Sequence, residues 1–220
     1  MIAKQNFIFD LDGTLVDSLP GITRSINDAL PAGVTRVTNL RPFIGPPVRS
    51  ILNSLAHSPN DRELDQMELR FRQSYDADGW RQTAEFLGAR ELLEQLRVAG
   101  KRIFLVTNKP SRPTERILSS LRLRAYFEDL LTPDSRTPPF RGKDQMLRHL
   151  VDTHALHAEE CLMVGDTAED CAAAAALAMP VAFVAHGYGD VRATATFPNC
   201  QIFPDLGMIS TNFLTDGAAL

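Results

Sequence analysis

The sequence predicts an α/β protein: a parallel sheet wrapped by helices on both faces, with an all-helical segment inserted after the first strand. Three observations point there. Short apolar runs suited to buried strands alternate with helical spacing along most of the chain. Two of these runs end in acidic turns, DLDGT at 10–14 and GDTAED at 165–170. The stretch from 17 to 85 breaks the alternation and shows three amphipathic helical patterns with no convincing strand between them.

The opening run, QNFIFD at 5–10, reads as a short buried strand. In the insert, Leu19, Ile22, Ile26 and Leu30 recur at helical spacing. Val48, Ile51, Leu52 and Leu55 do the same, and then Leu64, Met67, Phe71 and Tyr75. Ala89, Leu92, Leu93, Leu96 and Ala99 predict a helix, KRIFLVT at 101–107 a strand, and Ile117, Leu118 and Leu121 another helix. FEDLL at 127–131 is a weaker strand; Met146, Leu147, Leu150 and Val151 predict the helix after it. CLMVG at 161–165 is the next strand, followed by a helix beginning after Asp166 whose alanine run, 172–176, suits close packing. VAFVA at 181–185 is a strand and QIF at 201–203 a short edge. The resulting division assigns residues 1–16 plus 86–220 to the α/β core and residues 17–85 to a helical cap.

Composition narrows the function. The chain has 220 residues, 23% of them charged, with a net charge of −4 and no long run of one sign, which excludes a general nucleic-acid binder. Three cysteines without CxxC spacing argue against a disulfide scaffold or a cysteine zinc site. The longest apolar stretch, 171–185, is interrupted by Pro180 and falls short of the roughly 20 residues of a membrane span. A cytoplasmic protein with no membrane partner is expected. Only four residues are lysines, Lys4, Lys101, Lys109 and Lys143, and none lies in the insert.

Asp10 and Asp12 start toward the same side at the carboxyl end of the first strand, where open α/β sheets place their ligands. Gly13 permits the sharp turn that follows. Two carboxylates meeting there repel unless a cation or shared proton intervenes, and a hard divalent ion such as Mg²⁺ is the natural solution. Asp and Gly are also ordinary turn residues, but Asp166 repeats the arrangement at a second strand end. Asp170 falls one helical turn later, where it also suits a helix cap. Thr107 and Asn108 end a third strand and offer a hydroxyl and an amide suited to a phosphoryl oxygen, and equally to an ordinary Ser/Thr turn.

Together these pieces resemble the haloacid dehalogenase superfamily of phosphohydrolases: DLDGT, the apolar strand ending in Thr107, a lysine, and GDTAED, in that order. VDS at 16–18, FIGPP at 43–47, TNKP at 107–110 and GYG at 187–189 are similar to its phosphoglycolate phosphatase branch. The resemblance implies a Rossmann-like core with the helical cap inserted after the first motif. It implies Asp10 as nucleophile and Asp12 as general acid/base. It implies Mg²⁺ on the Asp10 carboxylate, the Asp12 main-chain carbonyl and Asp166, with Gly13 and Asp170 in support. Thr107, Asn108 and the amides after Asp10 would hold the phosphoryl group. Lys109 and Lys143 both lie between Thr107 and Asp166; the superfamily places its lysine at Lys143, before the helix near Asp144. The sequence departs from the branch where Asp144 replaces the usual proline and where the loop 132–142 is long and rich in Pro and Arg.

The function so implied is a Mg²⁺-dependent phosphomonoesterase acting on a small phosphorylated metabolite, 2-phosphoglycolate being the best single guess. Alternatives are a sugar-phosphate mutase of the same superfamily and a catalytically silent binding protein on this scaffold. Monomer and homodimer are both open. In the cap, Gly45-Pro46-Pro47 precedes a predicted helix, so Arg49 lies in its first turn. Arg49 and the amides after Gly45 then form a candidate site for a substrate carboxylate.

Overall fold

The computed structural model of the protein describes residues 3–57 and 59–214. Its first strand, β1 (Asn6–Phe9), is buried over its whole length, as a run without polar alternation requires. β2 (Val16–Asp17) leads into α1 (Leu19–Ala29), α2 (Val48–Leu55) and α3 (Asp61–Ala77), and β3 (Ala84–Glu85) returns antiparallel to β2. There follow α4 (Ala89–Val98), β4 (Arg102–Val106), α5 (Ser111–Ser120), β5 (Asp129–Leu131) and α6 (Lys143–Thr153). The chain ends in β6 (Cys161–Gly165), α7 (Ala168–Ala175), β7 (Val181–Val184), β8 (Cys200–Phe203) and α8 (Gly207–Leu214).

The main sheet has six parallel strands in the order β5-β4-β1-β6-β7-β8. Phe9 at the end of β1 is level with Leu105 of β4 and Val164 of β6. The chain runs outward through β4 and β5 and then crosses back to the other side of β1. That reversal opens a crevice at the carboxyl ends of the central strands.

Period-2 alternation divides the core cleanly. Phe7, Phe9, Ile103, Leu105, Leu162 and Val164 face α4, α5 and α8. Ile8, Phe104, Val106, Cys161 and Met163 face α6 and α7. Both faces are therefore covered, which is why these strands read as unbroken apolar runs.

The inserted helices bury their own cluster, including Ile22, Ile26, Ile51, Leu52, Leu64, Met67 and Phe71. The start of α3 is set by a capping box. Asn60 Oδ1 accepts from the Glu63 amide at 3.0 Å, and Glu63 accepts from the Asn60 amide at 3.0 Å.

Every strand expected from the apolar runs is present, with ends shifted by one or two residues. Two features were not expected. β2 and β3 are each two residues long, too short to show alternation, yet they pair where the chain enters and leaves the insert. α8 packs on α4, but its Ser210-Thr211-Asn212 run is poor helix former and hides the pattern. The expected core range extends to residue 220, so its last part, 215–220, lies outside the described residues. Among the described residues no helix is long and apolar enough to cross a membrane.

Candidate active site

Asp10 follows β1 directly, and its amide donates to the Val164 carbonyl at 2.9 Å, which binds the first strand end to β6. The chain then turns tightly. The Gly13 amide donates to Val16, and the Thr14, Leu15 and Val16 amides all donate to the Leu11 carbonyl. Gly13 has φ +89, and a Cβ there would overlap the Asp166 carboxylate and lie 2.8 Å from the Tyr188 ring. Glycine is required on both counts.

Asp166, fully buried at the end of β6, is held by Thr14 Oγ1 at 3.0 Å and the Tyr188 amide at 2.7 Å. Asp170 sits in the first turn of α7, where its Oδ2 accepts from the amide and hydroxyl of Thr167 at 3.0 and 2.7 Å. Asp170 thus caps α7 with one oxygen while its other oxygen accepts from Lys143. Lys143 is the first residue of α6, and its Nζ lies 2.7 Å from Asp10 Oδ1 and 2.6 Å from Asp170 Oδ1. Of the two candidate lysines, Lys143 is the one the fold brings to Asp10.

Asp10, Asp166 and Asp170 each offer an oxygen within 4.8 Å of the others. Lys143 pairs with two of these three buried carboxylates, Asp10 and Asp170. Burial pushes the Asp10 carboxyl well above its usual range; Lys143 opposes this, while Asp170 and Asp166 add to it. Asp166 is pushed up to about 7, chiefly by burial and then by Asp170, against the Tyr188 and Thr14 hydrogen bonds. Lys143 is raised despite its burial because Asp10 and Asp170 hold its proton. This imbalance of negative charge, built from hard oxygen donors, fits a divalent cation such as Mg²⁺. Asp10, Asp166 and Asp170 are the acids among the described residues that could hold it.

A cavity of about 730 Å³ lies between these strand ends and the inserted helices. Asp10, Asp12, Thr107, Asn108 and Lys143 line its floor; Ile51, Phe71 and Tyr75 line its roof. Thr107 is buried and its hydroxyl accepts from the Lys109 amide at 3.2 Å. Gly45 and Arg49 are also in the wall, but Arg49 is not the free cation expected of a carboxylate receptor. Its Nη1 lies 2.6 Å from Asp65 and 3.1 Å from Glu68, both on α3. The helix α2 carries Arg49 toward α3, whose acids neutralise it, and a substrate carboxylate would have to displace them.

Some site residues had no role assigned from sequence. Ser18 Oγ donates to Asp12 Oδ1 at 2.5 Å, and Lys109 Nζ lies 2.9 and 3.1 Å from the two Asp12 oxygens. The Tyr188 hydroxyl receives the Ser18 and Leu19 amides at 2.8 and 3.1 Å and itself donates to Asp17 at 2.8 Å. Tyr188 thereby joins Asp166 to the point where the insert begins. The VDS, TNKP and GYG motifs are the visible signal for these residues, without indicating what they touch.

Residues 7–184 match the haloacid dehalogenase-like hydrolase family. The chain belongs to that family. A 5′-nucleotidase of Pseudomonas aeruginosa is 31% identical over 190 residues, which cover 84% of each chain. A phosphoglycolate phosphatase of Cereibacter sphaeroides is 34% identical over 191 residues, covering 82% of this chain and 85% of the relative. The crystal structure of a predicted phosphoglycolate phosphatase from Haemophilus somnus superposes with a TM-score of 0.84 at 25% identity, covering 96% of this chain and 99% of that one. Within the haloacid dehalogenase-like hydrolases the protein is a phosphatase of the phosphoglycolate phosphatase-like branch.

Proposed function

We propose that the protein is a Mg²⁺-dependent, cytoplasmic phosphomonoesterase that works through a phosphoaspartate on Asp10. The observation that carries this reading is the Asp10–Lys143 pair, 2.7 Å apart, at the floor of the cavity. Residues 17–85 act as a cap over residues 1–16 and 86–220, and the cavity lies between the two.

Asp10 attacks phosphorus, and the bond from phosphorus to the ester oxygen breaks. Asp12 gives its proton to the departing oxygen and then takes one from the water that cleaves the phosphoaspartate. Lys143 keeps Asp10 ionised in a buried setting that disfavours its charge. Thr107, Asn108 and the amides after Asp10 bind the phosphoryl oxygens. When bound by Asp10, Asp166 and the Asp12 main-chain carbonyl, Mg²⁺ supplies charge neutralisation for the transferring phosphoryl group.

The similarity to phosphoglycolate phosphatases favours 2-phosphoglycolate as substrate. The cavity itself favours a second reading. Its volume and its Ile51, Phe71 and Tyr75 wall suit a bulkier, partly apolar leaving group, such as a nucleoside 5′-monophosphate. Phosphate release measured over both esters and a sugar-phosphate panel tests the proposal. Release that stops on chelation and returns with Mg²⁺, but not with Ca²⁺, is expected, since Ca²⁺ draws in more ligands at longer distance. Full activity after exhaustive chelation would refute the metal assignment. Isomerisation without phosphate release would establish a mutase, and the absence of both reactions a binding protein.

A further inference from the structure

Lys109 is the second buried ammonium of the described residues, and the chemistry above gives it no task. Its Nζ reaches both oxygens of Asp12, at 2.9 and 3.1 Å. On another side it stands 4.7 Å above the ring centroid of Tyr75, which comes from α3 in the insert. The lysine itself is fixed, because its amide donates to Thr107 Oγ1 at 3.2 Å and its carbonyl accepts from Thr114 at 3.3 Å. Ser18 Oγ supplies a further donor to Asp12, at 2.5 Å. The Asp12 carboxylate is thus clasped from the β4 loop and from the entrance to α1, with α3 lying behind the clasp.

We propose that Lys109 is a positioning residue that aims the Asp12 carboxylate at the ester oxygen, and that Tyr75 makes this aim depend on the inserted helices lying over the strand ends. The inference rests on the phosphoaspartate reading of the site. A role in binding a substrate anion suits the geometry less well. The ammonium lies within hydrogen-bond distance of both Asp12 oxygens, and the aromatic ring covers another side. An Asp12 that is out of line slows two proton movements: from Asp12 to the departing alkoxide, and from the attacking water to Asp12. It does not slow the departure of p-nitrophenolate, which needs no proton.

The test compares parent and Lys109→Met in the full chain with Mg²⁺, on benzyl phosphate and p-nitrophenyl phosphate. Benzyl phosphate should lose about ten-fold or more in kcat with little change in KM, a part of what general acid–base catalysis contributes. On p-nitrophenyl phosphate the first-turnover burst should keep the parent rate while steady-state turnover falls. Lys109→Gln, which keeps most of the stem, should give the same pattern if the methionine variant does not fold. Tyr75→Leu should show a weaker version of it. A burst slowed as much as benzyl phosphate turnover, or a raised KM with kcat retained, would overturn the positioning role. Parent-like kcat in Tyr75→Leu would overturn the coupling to the insert. Asp10→Asn separates the two levels of the argument. If it still shows a burst, the phosphoaspartate reading falls and this proposal with it. If it is silent while Lys109→Met loses rate uniformly, only the proposal falls.

Discussion

Two clusters of charge face the same cavity, and they differ in what surrounds them. At the strand ends, Asp10 and Asp170 share Lys143 with Asp166 alongside, and all four side chains are at most 8% exposed. In the insert, Arg49 meets Asp65 and Glu68 with its side chain 39% exposed and that of Asp65 68% exposed. The residue types are similar, but water screens the second cluster and is excluded from the first. Exposed pairs contribute little, whereas buried charges must be matched or they shift their protonation. The contrast teaches that, of the two clusters, only the one at the strand ends has its acids buried against one another. The insert's charges form a solvated wall.

The sharpest way to break this comparison is Asp10→Asn. It should lower kcat by about 10³-fold or more, since the variant lacks a competent nucleophile. Because it removes a buried, like-charged carboxylate, thermal unfolding should show no loss of stability. Activity above a few per cent of the parent would assign the nucleophile elsewhere.

Lys143→Met strips the ammonium that pairs with two buried acids, Asp10 and Asp170. We expect about 10²-fold lower kcat and a destabilisation of roughly 3 kcal/mol by chemical denaturation at neutral pH. A variant as stable as the parent would show that the acids are neutral in the native protein.

Gly13→Ala probes the turn that lets Asp166 approach. The added methyl meets that carboxylate in a left-handed backbone, so a loss of about 2 kcal/mol is expected, with activity falling alongside. Retention of both would mean that the turn can open without disturbing Asp166.

Arg49→Ala should have the smallest effect. Its charge is already met by exposed acids, so kcat/KM should change less than about three-fold on both 2-phosphoglycolate and p-nitrophenyl phosphate. A ten-fold loss confined to the carboxylate-bearing ester would show that Asp65 and Glu68 release the arginine to substrate, and would move specificity into the insert's charges.

Much of the core was legible because its signals are local. A strand covered on both faces must be apolar throughout, so β1, β4, β6 and β7 stand out as short apolar runs. Acids at strand ends are separated from those runs by one residue or none, so position makes Asp10, Asp12 and Asp166 candidates, and the resemblance supplies their roles. Helical spacing revealed α1, α2 and α3 for the same reason. β2 and β3 were not legible, because two residues carry no period and their pairing joins positions far apart in sequence.

The sequence by itself determined the kind of protein: a parallel α/β sheet, an inserted run of helices, and acids at the carboxyl ends of two strands. Only the tertiary structure decided which long-range partner each charge meets. Lys143 opens α6 after a long loop and Lys109 follows β4 closely, but neither position states which acid its ammonium meets. The fold sends one to Asp10 and Asp170 and the other to Asp12 and Tyr75. At a helix start Arg49 suits either a carboxylate receptor or a solvated surface residue, and α3 brings Asp65 and Glu68 against it. The physical reason is one of range. Apolar periodicity is written in neighbouring residues, whereas the partner of a charge is set by how distant elements pack, and burial then decides whether that meeting is chemistry or solvated surface.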